Sequence, residues 1–252
     1  MESSDNVCLN CGHSVENKYC SNCGQKTNQG RFNWKFFWNS VINSAELNKG
    51  FLFSAYCLII KPKVIISEYI EGKRMRYASP VKMAILVGAL ATFITFNFDF
   101  FDPGNADAVF FQLKDLKGFF NYSSRYFSFF TLTAIPFFSL FTWLFFFSSG
   151  FNYVENVVLN IYIGVGQFII LILMAPLLLL IDSNTLGLFY GPVNFGYNLL
   201  VVILFFKANS VKQWVKAILS VGIPQILVFF LNYFVYRIMP DVFWVFMDSL
   251  MA

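Results

Sequence analysis

The sequence predicts an all-α polytopic membrane protein of about five transmembrane helices, preceded by a small four-cysteine N-terminal module. Three observations carry this. Of 252 residues, 57% are apolar and only 13% charged, about half the charged share that covers a water-facing globular surface. Several apolar runs approach the roughly 20 residues needed to cross a bilayer core. Four of the five cysteines fall between residues 8 and 23 at metal-ligand spacing. The 34 phenylalanines suit lipid-facing helices, because each ring adds apolar area without a polar group to satisfy.

In chain order, residues 1–30 form the polar module, 31–79 read as basic amphipathic interfacial helices, and 80–252 as the helical transmembrane bundle. The first thirty residues contain no continuous apolar stretch, so the first span is expected to act as its own insertion signal. In the second segment Phe37, Val41 and Ser44 follow helical spacing, with Trp34, Phe36 and Trp38 suited to headgroup level. Phe51 to Ile60 is apolar for half the length of a span, and Pro62 and Gly72 bracket a further short helix. Both are expected to lie on, or dip into, the interface. The cluster Lys73, Arg74 and Arg76 follows. There it would meet anionic headgroups at about 1 kcal/mol per charge.

The spans are expected at about 80–98, 126–147, 154–181, 190–206 and 214–238. Eleven of the eighteen Lys and Arg lie between Lys18 and Lys82, and Lys207, Lys212 and Lys216 flank the last connection. The first loop instead carries Asp99, Asp102, Asp107 and Asp115 beside Lys114, Lys117 and Arg125. The positive-inside bias then puts the N-terminus in the cytoplasm of a multi-pass protein. Gly191-Pro192 at the head of the short fourth span leaves a re-entrant segment as the alternative there.

The module reads Cys8-Leu9-Asn10-Cys11-Gly12 and, eight residues on, Cys20-Ser21-Asn22-Cys23-Gly24. In each knuckle a tight turn aims two thiolates at one ion, and the glycine permits the backbone that points amides at sulfur. Four thiolates in a tetrahedron favour Zn2+ over harder ions and leave no open position for water, so the zinc of this ribbon is expected to be structural. Cys8, Cys11, Cys20 and Cys23 are the expected ligands, and metal binding would supply the folding energy of so short a segment. Disulfides, redox C-x-x-C pairs and rubredoxin-like or iron–sulfur iron are the competing readings, and a cytoplasmic site disfavours the oxidised ones. His13 is expected to be a solvated turn residue. Nucleic-acid binding is not expected of a module with few bases at a membrane.

Polar side chains within spans tend to face protein or water. The candidates for an intramembrane site are Glu155, Asn156, Asn160, Gln167, Asn194 and Asn198, with Asn97, Gln225, Asn232 and Arg237 also present. Interhelical bonding explains such amides equally well. No metalloprotease helix, nucleophile–histidine pair or phosphate loop occurs, so an enzyme is not expected.

Tyr19-Cys20-Ser21-Asn22-Cys23-Gly24-Gln25, Lys61-Pro62, and the run from Tyr69 through Glu71-Gly72-Lys73-Arg74-Met75-Arg76-Tyr77 to Pro80 resemble the bacterial membrane family DUF3667. The resemblance covers residues 8–100 well and the remainder more loosely, through Tyr153-Val154-Glu155. It implies a zinc ribbon joined to several spans in a bacterial inner membrane, and no established activity. Members often carry histidines after the glutamate; here Asn156, Tyr162 and Gly164 stand at those places, so a metal or proton site of relatives would be lost.

The expected function is therefore a non-enzymatic platform, in which the zinc ribbon positions a protein partner beside the bundle. The alternatives are a small transporter, channel or lipid-handling protein with a polar cavity among the spans, and a membrane-disrupting effector.

Overall fold

The computed structural model describes residues 7–26, 50–98 and 116–238. The expected headgroup aromatics at 34–38, Val41 and Ser44, and the acidic loop from Asp99 to Asp115, lie outside the described residues.

Among the described residues the chain is helical, with no strand beyond two isolated bridges. Two short helices come first, α1 (Phe51–Ile60) and α2 (Pro62–Glu71), followed by α3 (Pro80–Asn97), α4 (Leu116–Arg125), α5 (Phe127–Phe145), α6 (Tyr153–Met174), α7 (Ser183–Phe205) and α8 (Val211–Ile238). Helices α3, α5, α6, α7 and α8 are long and apolar enough to cross a membrane. The protein is thus an all-α polytopic membrane protein in class.

Helix α6, extended by a short 3₁₀ turn at Ala175–Leu179, is the axle of the bundle. Its span is 67% buried, against 17% for α8. It packs against α1, α2, α3, α5 and α7, while α8 closes on α5 and α7. Helices that leave so many Phe, Leu and Ile side chains uncovered need lipid, not water, on their outer faces.

Two elements depart from the expected boundaries. Helix α7 begins at Ser183, seven residues before the expected start, and runs unbroken through Pro192. Asp182 accepts from the Thr185 amide at 2.9 Å and the Thr185 hydroxyl at 2.8 Å, which starts the helix early. Its 23 residues give about 35 Å, enough to cross. In an apolar medium the internal hydrogen bonds outweigh the weak helix propensity of Gly191 and Pro192. Helix α4 occupies part of what reads as the first loop. It stays because Phe119 is buried among Phe229, Tyr233 and Tyr236 of α8, with ring centroids 5.5–5.7 Å apart.

The α1–α2 hairpin is wedged into the bundle. Leu58, Ile65 and Ile66 have no exposed surface. Tyr197 of α7 donates to the Leu58 carbonyl at 3.0 Å, and Tyr162 of α6 donates to the Ala78 carbonyl at 2.9 Å. Tyr162 and Tyr197 stand about 12–14 Å in from their helices' ends on this side, at 1.5 Å per residue. The hairpin therefore fills a step below the start of α3. Out of water its orphan backbone groups need protein partners. The two phenols supply them, and Ser54 Oγ accepts from the Ala78 amide at 2.8 Å. Gly166 makes room for Tyr197: any Cβ there would collide with the phenol oxygen.

Candidate functional site

Two sites emerge, a cluster of thiols at the N-terminus and a cavity lined by amides among the spans.

The module is two copies of one knuckle, twelve residues apart. Cys8 and Cys20 each accept a bond from the following glycine amide at 2.8 Å, from Gly12 and Gly24 respectively. Each also donates its own amide forward, to the carbonyls of His13 (2.8 Å) and Gln25 (2.7 Å). Gly12 and Gly24 adopt φ of +72° and +73°, the left-handed backbone that glycine takes without a Cβ penalty. Bridges pair Val7 with Ser14 and Tyr19 with Lys26.

All four sulfurs lie within 4.8 Å of one another, with Cys8–Cys23 at 3.5 Å and Cys11–Cys20 at 3.6 Å. A tetrahedron with metal–sulfur bonds near 2.3 Å has edges of about 3.8 Å, so the set fits one ion and could hold it. The backbone amides are aimed to suit thiolates. The bond from the His13 backbone brings the Cys11 thiol down to about 6. The Gln25 backbone does the same at Cys23, but burial outweighs it and pushes that thiol up to about 11.

The module is docked on the hairpin by the Gln25 side chain, with Leu9 packed beside Gly72. Gln25, 1% exposed, donates Nε2 to the Gly72 carbonyl at 2.6 Å, while Oε1 accepts from the Arg74 (3.2 Å) and Met75 (3.4 Å) amides. Gly72 ends α2 at φ +113°, where a Cβ would sit 2.9 Å from Leu9 Cδ1. Its carbonyl also accepts from the Arg74 amide at 3.0 Å. The carboxamide of the second knuckle thus braces the turn that follows α2. His13 holds the same place in the first knuckle and is exposed.

The expected headgroup-binding cluster is divided among separate tasks. Lys73 pairs with Glu68 at 3.0 Å. Arg74 is half-buried over the Tyr69 ring, its Nε bonded to the Tyr69 carbonyl at 3.3 Å, and burial lowers its guanidinium to about 10. Arg76 is exposed, 4.9 Å over the Phe53 ring. Glu68 also accepts from the Tyr77 hydroxyl. That bond and Lys73 hold its carboxyl below the usual value, against the opposing effect of burial.

The intramembrane candidates fall into two groups. Glu155 and Asn156 belong to the start of α6. The Glu155 carboxylate accepts from the Asn152 amide at 2.8 Å, and Asn152 Oδ1 accepts from the Glu155 amide at 2.9 Å, a reciprocal cap. Asn156 Nδ2 donates to the Asn152 carbonyl at 2.9 Å. Glu155 is buried at 4% exposure, so its carboxylate serves the helix end there.

Asn160, Gln167, Asn194 and Asn198 line a cavity of about 540 Å³ between α4, α5, α6, α7 and α8, where Gln225 and Asn232 of α8 join them. Their spacing puts them on shared helix faces. Gln167 Nε2 donates to Asn198 Oδ1 at 2.8 Å, and Asn160 Nδ2 reaches Thr142 Oγ1 at 3.0 Å and the Asn156 carbonyl at 2.9 Å. The amides therefore both surround a space and bond across it. Phe and Tyr rings supply about half of the remaining wall and small or aliphatic residues the rest, and no Asp, Glu, Lys or Arg lines it among the described residues. Asn97, by contrast, is exposed and bonds back to the Phe93 carbonyl at 2.8 Å.

Fold and site together define a polytopic helical membrane protein whose four-thiol module is docked on an inserted helical hairpin. Residues 48–92, which take in α1, α2 and most of α3, match the model of the family described as protein of unknown function (DUF3667), and this supports placing the chain in that family. The matched stretch contains every group that Gln25 holds. No curated protein and no solved structure matches the chain.

Proposed function

We propose that the protein is a non-enzymatic membrane platform. Its zinc-loaded ribbon, on the cytoplasmic side of a bacterial inner membrane, positions a protein partner beside the bundle. The Gln25 clamp carries this reading: the ribbon is held in one orientation on the hairpin, so whatever binds it is set in register with the spans. Zinc is the ion that four thiolates in this geometry favour, and a saturated shell suits a structural role. Val7 and Tyr19, 50% and 61% exposed, leave apolar and aromatic surface outward for a partner. The exposed Arg76 is the member of the basic cluster best disposed to meet headgroups. Lys207 and Lys212, at the same end of the bundle as the hairpin, support the cytoplasmic assignment.

The test compares partners crosslinked in cells to wild-type protein, Cys20→Ser, Tyr19→Ala and Asn198→Ala. Loss with the first two and retention with the third is expected. Partners indifferent to Cys20→Ser would sink the platform.

A second reading, movement of a small molecule among the spans, is favoured by the amide-lined cavity. It predicts release of entrapped glycerol or other uncharged solutes from proteoliposomes, diminished by Asn198→Ala and unaffected by Tyr19→Ala.

A further inference from the structure

The outer face of the hairpin carries apolar and cationic groups that neither the ribbon nor the bundle uses. Leu52, Tyr56 and Ile60 recur at every fourth residue of α1, and each is more than half exposed. That spacing makes them one stripe. The other side of α1, with Ser54, Cys57 and Leu58, is buried.

A cation stands at each end of the stripe. Arg76 lies over the rings of Phe53 and Tyr77, its guanidinium carbon 4.9 and 5.9 Å from their centroids. Lys61 is the C-cap residue of α1, about 12 Å from Phe53 along the helix at 1.5 Å per residue. Both are exposed, and the charges of both act on the Cys57 thiol, midway between Phe53 and Lys61 in sequence. Neither makes an ion pair among the described residues, and the neighbouring Glu68 is already bonded by the Tyr77 hydroxyl and Lys73. A guanidinium stacked on rings keeps its N–H edge free for a phosphate. An apolar stripe between two cations therefore suits acyl chains along its length and anions at its ends.

We propose that this face binds one anionic phospholipid carrying two phosphates, of the diphosphatidylglycerol class, with chains over Leu52, Tyr56 and Ile60 and a phosphate on each of Arg76 and Lys61. The inference rests on the platform reading, which sets Arg76 among headgroups, and names the lipid. Two phosphates on one short bridge are favoured over two separate lipids, because the second contact is made within a molecule already bound. A zwitterionic lipid brings each cation a phosphate whose charge its own amine offsets.

The experiment titrates the full-length protein in detergent with tetraoleoyl diphosphatidylglycerol, dioleoyl phosphatidylglycerol and dioleoyl phosphatidylethanolamine, read by native mass spectrometry. The diphosphate lipid is expected to give a one-to-one adduct about tenfold or more tighter than phosphatidylglycerol, with phosphatidylethanolamine weaker still. Arg76→Gln and Lys61→Gln should each cut that preference, and the double variant should erase it. Tyr56→Asp, in the middle of the stripe, should weaken the adduct as well. Lys212→Gln, which removes an exposed cation on α8, should leave both affinity and preference intact. All of these side chains are exposed, so melting temperatures are expected to match the wild type. Equal affinity for the two anionic lipids, a preference that survives the double variant, or the same loss in Lys212→Gln overturns the assignment. A missing preference with partner crosslinks intact would retire the lipid alone. Crosslinks indifferent to Cys20→Ser with the preference intact would retire the platform alone.

Discussion

The Gln25 backbone bonds the Cys23 sulfur, while its carboxamide meets three backbone groups of residues 72–75. Removing one partner of a buried polar contact costs about 1–3 kcal/mol. Gln25→Ala is therefore expected to keep full metal content while amide exchange at residues 72–76 accelerates by about tenfold or more. Loss of metal along with the docking would refute the division between ligand and clamp. Gly166 offers a second test, since a Cβ added there would collide with the Tyr197 phenol. Gly166→Ala should destabilise by about 1–3 kcal/mol, as overpacking does. Combined with Tyr197→Leu, which clears the space, it should cost measurably less than the two single changes added together. Strict additivity in thermal unfolding would contradict the contact.

Within the hairpin, stability is linked to pH through Glu68. Its carboxyl is held below the ordinary value of 4.5 by the Tyr77 hydroxyl and Lys73. A depressed folded-state pKa stabilises above the unfolded value, and that contribution fades as pH falls through the folded one. The hairpin is thus expected to melt at constant temperature from neutrality to about pH 5, then progressively lower in more acid solution. Glu68→Gln should flatten that acid limb. The module is expected to respond to metal. With so small a core, Cys8→Ser or chelation is expected to unfold residues 7–26 while the helical circular dichroism of the bundle persists. A bundle that collapses with the ribbon would show that the spans lean on it.

How much of each element was legible in the chain follows from what defines it. Long apolar runs declare themselves because lipid-facing helices need little else. Gly191-Pro192 misleads, since breaker propensities measured in water count for less in a bilayer. Helix α4 hides because its stability comes from rings on α8, far along the chain. The cysteine spacing is explicit. The clamp becomes visible only when the knuckles are superposed and Gln25 falls on His13. Glu155 and the cavity amides look alike as polar residues in spans. The pattern Asn152-x-x-Glu155 is the signature that could have assigned the former to a helix cap.

For the whole molecule, five crossings put the α6–α7 connection and the α7–α8 connection on opposite faces. Cysteines introduced at Leu180, 82% exposed, and at Asn209, also exposed, in a Cys57→Ser background test this with an impermeant maleimide. Leu180→Cys should label on intact cells, and Asn209→Cys only after permeabilisation. Labelling of both from one side would reduce the number of crossings and reverse the orientation argument. Asn160, Gln167, Asn194 and Asn198 were legible as candidates for a polar cavity, and they do line one. Its amides come from three helices, and nothing local announces that Gln225 and Asn232 join them while Asn156 serves the start of α6.

The two phenols that satisfy the hairpin have a consequence for biosynthesis. Tyr162 and Tyr197 lie 84 and 139 residues downstream of the carbonyls they serve. A nascent chain has made residues 51–79 long before either tyrosine leaves the ribosome, and until then those carbonyls must stay wet. The hairpin should wait at the membrane surface and sink only when the third and fourth crossings arrive, making its seating a late event of insertion.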